Sequence, residues 1–333
     1  MKTVLPLFAV IILVLLAFVG VEVANLQYLF GVVIPYAAFA VFVLGFIYRI
    51  VKWGKSAVPF SIPTTAGQQK TLPWIKESKL DNPSTTLGVI GRMAFEVLLF
   101  RSLFRNTKTE LRDGPKVSYG SEKFLWMAGL AFHWSFLIIV IRHLRFFTQN
   151  VPQVVSVIAS LDSFLQIGLP ILYITDVVIL LAITYLFLRR VSMPLVKFIS
   201  LPADYFPLFL IFGIVVSGII MRYFTKVYVI GVKELAMGLV SFNPVSLQTM
   251  QSIGVLFYIH LFLICTLFAY FPFSKLVHMG GVFLSPTRNM PNDSRMVRHI
   301  NPWNHPVHVH TYEEYENDFR EKMKSAGLPV EKE

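Results

Sequence analysis

Long apolar runs, separated by polar connections, dominate the pattern of this chain. A run of about 20 apolar residues is long enough to cross a bilayer as a helix. We read the first run as a retained helix rather than a signal peptide, because it is longer than a signal core and lacks a clean small-residue cleavage site. The pattern predicts an all-α, polytopic transmembrane helix bundle. Its six apolar runs lie at roughly 4–24, 28–50, 123–146, 170–189, 204–224 and 252–275.

The polar connections divide the chain into four regions. Apolar and basic positions alternate at helical spacing over 87–104, which is typical of a helix lying in the membrane interface. The stretch 151–166 has the same character. The predicted regions are two N-terminal transmembrane helices (1–50), a basic cytoplasmic loop with an interfacial helix (51–122), a helix bundle (123–285) and a polar cytoplasmic tail that docks a partner subunit (286–333).

The distribution of lysine and arginine predicts the orientation. Both residues crowd into the loop 51–122, and cytoplasmic loops carry an excess of positive charge. Six spans then place both termini in the cytoplasm, with the connections 147–169 and 225–251 on the outer side. We therefore expect a multi-pass protein of the cytoplasmic (inner) membrane.

Composition supports the lipid bilayer as the environment of this chain. Hydrophobic residues make up 55% of the sequence, and the mean hydropathy of +0.62 exceeds what a soluble domain needs for its core. The net charge of +11 follows the membrane topology, so we expect no nucleic-acid binding. The only cysteine, Cys265, lies within an apolar run, which excludes an internal disulfide, a covalent c-type haem motif and a self-contained iron–sulfur cluster.

Four histidines lie within or at the ends of the apolar runs. His133 and His143 belong to the third predicted helix, and His260 and His278 to the sixth. Because these helices run in opposite directions, His133 falls beside His278 towards the cytoplasm, and His143 beside His260 towards the outer side. Each pair of neutral imidazoles suits one haem iron with no open coordination position. The pattern predicts a di-haem four-histidine core that holds two haem b groups and transfers electrons.

The spacing of the histidines is unequal along the two helices. Ten residues of helix span about 15 Å and eighteen about 27 Å. The two histidines of the sixth helix would therefore lie farther apart than the two of the third. Pro272 cannot keep the ordinary backbone hydrogen bond, and we expect His278 on a bent or ended helix. The alternative for any one of these histidines is a hydrogen bond to a neighbouring helix.

Charged residues surround the predicted outer pair. Arg142 and Arg145 flank His143 and are candidates for binding haem propionates or a quinone, although both could instead extend to the membrane surface. Asp176 lies inside the fourth apolar run, where a carboxylate is costly and usually functional. It is a candidate to exchange the proton of a quinol, or alternatively to pair with Arg142 or Arg145.

The tail contains three closely spaced histidines, His305, His308 and His310. Metal sites use such residues, but no cysteine and no carboxylate lies within their tight spacing. We therefore favour an extended segment over 298–309 that lies on a cytoplasmic partner, followed by a short helix over about 312–325.

The histidine spacing resembles that of a known family. His133-x9-His143 followed by His260-x17-His278 is similar to the nitrate reductase gamma-subunit family of di-haem b quinol dehydrogenases. That family usually has five helices, whereas this chain has an additional apolar run and a longer loop and tail. With its length and the stretch Arg-His-Ile-Asn-Pro-Trp-Asn-His-Pro at 298–306, the chain resembles the cytochrome b subunits of DsrMKJOP complexes of sulfate- and sulfur-metabolising prokaryotes.

This resemblance implies a subunit of a menaquinol-linked respiratory oxidoreductase. Such subunits exchange electrons with menaquinone and relay them through two haems to a cytoplasmic iron–sulfur subunit similar to heterodisulfide reductase (DsrK-type). The other implied partners are a periplasmic multihaem cytochrome c, a periplasm-facing iron–sulfur protein and a second membrane quinone subunit. The alternatives are a heterodisulfide reductase or nitrate reductase type cytochrome b subunit, a structural anchor, and a proton-coupled transporter. A transporter predicts helix breaks at matched positions of two halves, and no such pairing is evident.

Overall fold

A computed structural model describes most of the chain. The described residues are 2–56, 58, 69–70, 72, 74–114, 116–165, 171–225, 227–293, 295–296 and 306–332. Most of the stretch 298–306, including His305, lies outside them. The membrane-length helices and their neighbours are α1 (Val4–Phe18), α2 (Ile34–Gly54), α5 (Lys123–His143), α7 (Ile174–Ser192), α9 (Pro202–Tyr223) and α12 (Val255–Tyr270). The shorter elements are α3 (Thr86–Leu99), α4 (Arg101–Phe104), β1 (Thr107–Arg112), β2 (Lys116–Ser121), α6 (Gln153–Asp162), α8 (Pro194–Ile199), α10 (Val229–Val240), α11 (Leu247–Ser252), α13 (His278–Gly281) and α14 (Tyr312–Ser325).

The polytopic helical architecture predicted from the sequence is confirmed. Turns with π-helical bonding at Val19–Val23 and Leu29–Val33 extend the first two helices. Five helical segments of the described chain are apolar and long enough to cross a membrane. They are Val4–Val23, Leu29–Gly54, Lys123–Phe146, Pro202–Tyr223 and Val255–Phe273.

The predicted span at 170–189 differs from the other five. It forms α7, which carries Asp176, Arg189 and Arg190. Because of these three charges, α7 is less apolar than the five membrane-length segments named above. Its length of 19 residues corresponds to about 28 Å of helix. It packs against α5 and α9 and buries Ile179 and Ile183. α7 is therefore part of the bundle, with its charged residues near its two ends.

Helix α12 lies at the centre of the bundle. It packs against α1, α2 and α9, and Tyr258 and Leu263 on it are almost fully buried. A β-carbon at Gly45 of α2 would lie 2.8 Å from Pro272 Cβ, so glycine allows α2 to approach the point where α12 ends.

The helical segment α12 ends near Pro272, as the sequence predicts. Pro272 lacks the N–H that a continuing helix requires, and two 3₁₀ turns, Phe271–Phe273 and Lys275–Val277, follow α12. His278 then begins α13. The prediction that His278 lies beyond an ended helix is confirmed.

The basic loop contains a helix where the sequence predicted an interfacial one, together with one unpredicted element. Helix α3 begins at the N-cap Thr85, whose side chain accepts the Gly88 N–H, and it ends at Phe100 in the left-handed conformation, with φ of 50°. Strands β1 and β2 form an antiparallel hairpin, an element that the sequence analysis did not predict within this loop. The Asp113-Gly114 dipeptide, with φ of 79° at Gly114, is a hairpin turn signal.

The remaining connections are also largely helical. Helix α6 forms within the amphipathic stretch 151–166, and α14 spans the predicted tail helix. Helices α10 and α11, in contrast, form where the sequence predicted only a connection. Helix α10 buries Leu235 in the core of the bundle, which explains its apolar sequence.

Candidate haem-binding site

The structure brings His133 and His278 together; we refer to them as the inner pair. His133 lies in the middle of α5, and His278 is the first residue of α13. Their ring centroids are 6.0 Å apart and their planes cross at 84°. Metal–imidazole bonds are about 2 Å long, so imidazoles that bind one ion from opposite sides have centroids about 6 Å apart. The observed separation fits a bis-imidazole iron.

Hydrogen bonds determine the tautomer of both rings in the inner pair. Nδ1 of His133 lies 2.7 Å from the carbonyl oxygen of Gly129, and Nδ1 of His278 lies 2.9 Å from that of Lys275. A carbonyl oxygen can only accept, so Nδ1 carries the hydrogen in each ring. The lone pair is then on Nε2, the nitrogen that is left for a metal.

Helix α3 covers the inner pair. The rings of Phe100 and Phe132 contact His133 edge-on, with centroid distances of 4.9 and 5.1 Å. Trp126 and Trp134 of α5 donate their Nε1 hydrogens to the last two carbonyls of α3, at 2.7 and 3.0 Å. These bonds hold the end of α3 on α5, and the left-handed Phe100 turns its ring towards His133.

Three further hydrogen bonds join this cover to the segment that follows α13. Arg288 donates to Glu96 of α3 at 3.0 Å. The backbone N–H of Asn292 donates to the Pro83 carbonyl at 2.8 Å, and its side-chain amide donates to Asn82 at 2.5 Å. The loop before α3 and the segment after α13 therefore form one cover next to the inner pair.

Asp81 holds the two halves of this loop together. Its carboxylate binds Arg101 at 2.8 Å and also Arg105. Partial burial raises the pKa of Asp81, but the hydrogen bonds from Arg101 and Arg105 outweigh it and hold the pKa below the usual 3.8. Asp81 therefore stays ionised and keeps α4 next to the residues that precede α3.

His143 and His260 are the second predicted pair, which we call the outer pair. His143 is the last residue of α5, and its Nδ1 lies 2.7 Å from the carbonyl oxygen of Ile139. His260 of α12 is buried, and its Nδ1 lies 2.8 Å from Ser217 Oγ on α9. As in the inner pair, the carbonyl bond leaves the lone pair of His143 on Nε2.

Ser217 fixes the tautomer of His260 as well. Its hydroxyl has one hydrogen, which it donates to the Gly213 carbonyl at 2.8 Å. With the hydrogen on the Gly213 carbonyl, Oγ accepts from His260 Nδ1, and His260 then also presents Nε2. A β-carbon at Gly218 would lie 3.3 Å from His260 Cε1, so the backbone of α9 approaches the ring closely. All four histidines thus present the same nitrogen, a donor set that fits two bis-histidine haems.

A buried ion-pair network lies at the end of α5, next to the outer pair. The guanidinium of Arg142 lies with Nη2 2.6 Å from Asp176 Oδ1 and Nε 3.1 Å from Asp162 Oδ2. It also stacks 3.7 Å above the ring of Tyr173. The sequence suggested that Asp176 either exchanges the proton of a quinol or pairs with Arg142 or Arg145. The structure shows the pairing with Arg142. Sequence reasoning missed Asp162, whose signal was a carboxylate at the end of the amphipathic stretch 151–166.

Hydroxyl groups complete this network. Tyr223 of α9 donates to Asp176 Oδ2 at 2.8 Å and accepts the Tyr173 N–H at 3.0 Å. Thr175 donates its hydroxyl to Asp162 at 2.6 Å. We call Arg142, Asp162, Thr175, Asp176 and Tyr223 the outer polar cluster. Arg145 lies beside the cluster and donates Nε to the Arg142 carbonyl at 3.0 Å.

Comparisons with known proteins identify the family of the chain. Residues 89–298 match the nitrate reductase gamma subunit family. The chain is 46% identical over 279 residues, 83% of each chain, to the Hdr-like menaquinol oxidoreductase cytochrome b-like subunit of Archaeoglobus fulgidus. It is 44% identical over 274 residues, 81% of each chain, to the protein of the same name from Archaeoglobus profundus. The chain is therefore an integral membrane protein that belongs to the nitrate reductase gamma subunit family and is a subunit of an oxidoreductase complex.

Proposed function

We propose that this chain is a di-haem cytochrome b subunit that exchanges electrons between menaquinone and a cytoplasmic iron–sulfur partner. The observation that carries the proposal is the shared geometry of His133, His143, His260 and His278. Each ring donates Nδ1 within the protein and presents Nε2. Haem b bound by such pairs supplies one-electron transfer without an open site for oxygen.

The inner pair, in this proposal, lies on the path to the partner. His133 and His278 are held at the separation of opposed ligands, and the Phe100 ring covers one side of His133. The apolar contact limits the access of water to the iron ligand, and burial is one of the factors that set a haem potential. The cover built from α3 and the segment after α13 offers the cytoplasmic surface on which a partner would dock.

The outer pair is the proposed site of menaquinone exchange. Asp176 is the group that we expect to accept or deliver the quinol proton, with Tyr223 as its hydrogen-bond partner. Arg142 is occupied by two carboxylates, so its role is to position Asp176. Arg145 donates Nε to a backbone carbonyl and is the better candidate for a haem propionate or a quinone oxygen.

The identity of the complex is a finer part of the proposal. The stretch 298–306 and the chain length resemble the cytochrome b subunit DsrM, and the relatives carry the description Hdr-like. We infer a DsrK-type iron–sulfur partner, the other DsrMKJOP subunits named above, and a role in dissimilatory sulfur metabolism. The positive loop 51–122 supports a cytoplasmic (inner) membrane location with both termini inside. A heterodisulfide reductase or nitrate reductase type complex is the alternative, and the co-purifying subunits distinguish these assemblies.

Quinol-driven reduction of the purified chain tests the proposal. A menaquinol analogue is added to the oxidised protein in detergent, and haem reduction is followed by absorbance. His143→Ala and His260→Ala should each remove one haem and abolish reduction by the quinol, whereas dithionite still reduces the inner haem. His310→Ala, in the exposed tail, is the control and should keep both haems and their reduction by the quinol. Loss of both haems from a normally inserted His143→Ala variant contradicts the pairing.

A further inference from the structure

The tail contains a group of metal-ligating side chains that the proposed function does not use. His308, His310 and Glu314 are all exposed, and one ligand atom of each lies within 4.8 Å of the others. The sequence placed no carboxylate within the tight histidine spacing. The fold provides one, because the chain turns at Thr311 into α14 and brings the first turn of the helix back to the histidines.

The ligand atoms of the three side chains already lie close together. His308 Nε2 lies 4.0 Å from Glu314 Oε1, and His310 Nδ1 lies 3.9 Å from Glu314 Oε2. The two imidazole centroids are 4.9 Å apart. Zinc–nitrogen and zinc–oxygen bonds of about 2.0–2.2 Å place ligand atoms roughly 3.3 Å apart on one ion. Each side chain therefore needs to move by less than about 1 Å, and all three are exposed enough to do so.

The capping box of α14 holds the carboxylate in place. Thr311 Oγ accepts the Glu314 N–H at 3.2 Å, and Glu314 Oε2 accepts the Thr311 N–H at 3.0 Å. This reciprocal bonding fixes the rotamer of Glu314. Oε1 then remains available on the side of His308. The site is thus partly organised before any ion arrives, which lowers the entropic cost of binding.

We propose that His308, His310 and Glu314 form a zinc site in the cytoplasmic tail. Two imidazoles and one carboxylate are a donor set that Zn²⁺ favours, and water fills a fourth, open position. An ion at this site would join the extended segment that contains the histidines to the start of α14. It would thereby order the tail independently of the haems, so the inference stands apart from the proposed function.

Zinc protection of individual histidines tests this site in the full, haem-loaded chain without an affinity tag. Diethyl pyrocarbonate modifies accessible imidazoles, and peptide mass spectrometry reports each histidine separately. Zn²⁺ should protect His308 and His310 together, with one ion bound per chain. Glu314→Gln should raise the Zn²⁺ concentration needed for half-maximal protection by about tenfold or more. A loss of affinity in this range is seen when even a supporting residue of a metal site is removed.

The choice of variants separates loss of a ligand from loss of structure. Glutamine at the third helical position still completes a capping box, so Glu314→Gln keeps the start of α14. Glu313→Gln is the matched control, since Glu313 pairs instead with Lys332 and its replacement should leave protection unchanged. Absence of zinc protection in the unmodified chain overturns the proposal. Equal protection in the Glu314→Gln variant also overturns it, since it would reduce the site to two surface histidines.

Discussion

Ser217 shows how one hydroxyl determines what a neighbouring histidine can do. Because its hydrogen goes to the Gly213 carbonyl, its oxygen accepts from His260 Nδ1 and leaves Nε2 for a metal. Such a supporting bond orients the ring and raises its basicity as a ligand. Nothing in the sequence pairs Ser217 with His260, because the contact joins two helices that are distant along the chain.

Ser217→Ala tests this supporting role. The variant should keep two haems but change the midpoint potential and the electron paramagnetic resonance signal of one, because His260 loses its Nδ1 acceptor. A redox titration with optical detection measures both haems. Ser241→Ala is the control, since Ser241 also bonds a carbonyl one turn earlier but lies outside the site. An unchanged potential and spectrum in Ser217→Ala would show that Ser217 does not tune the ligand.

Asp176 is the residue for which the structure separates two roles. Its ion pair with Arg142 is structural, whereas its bond from Tyr223 lies beside the outer pair. Asp176→Asn keeps the shape and one acceptor oxygen but removes the titratable group and its negative charge. We expect slower menaquinol-driven reduction, by about 10²-fold or more if Asp176 is the general base, with unchanged haem content. Unchanged turnover would assign Asp176 a structural role; Asp113→Asn, on the hairpin, is the control.

At the scale of elements, the end of α3 is the part that sequence patterns describe least well. The alternation of apolar and basic positions predicted a helix over 87–104, and the structure has α3 and α4 there. It did not predict the left-handed break at Phe100, which aims a ring at His133. A positive φ in a bulky residue is uncommon, and its reason lies in packing against α5, a contact that local pattern does not contain.

Phe100→Gly is therefore an informative change. Glycine adopts the left-handed conformation readily, so the end of α3 should be kept while the ring over His133 is lost. We expect a shifted potential of the inner haem, with the outer haem unaffected, in a redox titration. The matched control is Phe242→Gly, because Phe242 also has a positive φ of 54° but stacks on Tyr36 elsewhere. Equal effects of both variants on the inner haem would contradict the covering role of Phe100.

The ion pairs of Asp81 make the docking of this loop depend on pH. The folded-state pKa of Asp81 is lowered from 3.8. Its stabilising contribution is therefore complete above that unfolded-state value and is lost as the pH falls through the lower folded-state pKa. Hydrogen exchange of peptides from 74–104 should be slow and constant from neutral pH down to about pH 5, after correction for the intrinsic rate. Asp81→Asn should raise the exchange rate of these peptides already at neutral pH. A variant that exchanges like the unmodified protein would show that the ion pairs of Asp81 do not stabilise this region.

At the scale of the whole molecule, the sequence predicted the helical bundle and the neighbours within the inner pair. The direction of each apolar run and the position of its histidines were enough for this, because antiparallel helices bring opposite ends together. The unequal histidine spacing is explained by the break at Pro272. His278 follows two 3₁₀ turns, so the segment from His260 to His278 is not one straight helix. The hairpin was missed although the Asp113-Gly114 dipeptide marks it. The complete outer polar cluster could not be predicted, since Asp162 and Tyr223 reach Arg142 and Asp176 from distant segments.

The number of haems per chain tests the central claim most directly. A pyridine haemochrome assay on the purified, detergent-solubilised protein, with the chain quantified by amino-acid analysis, measures it. The four presented Nε2 atoms predict two b-type haems per chain, both low-spin in dithionite-reduced spectra. A properly inserted chain that binds no haem would contradict the account. So would a chain that binds a single haem and keeps it whichever of the two histidine pairs is replaced.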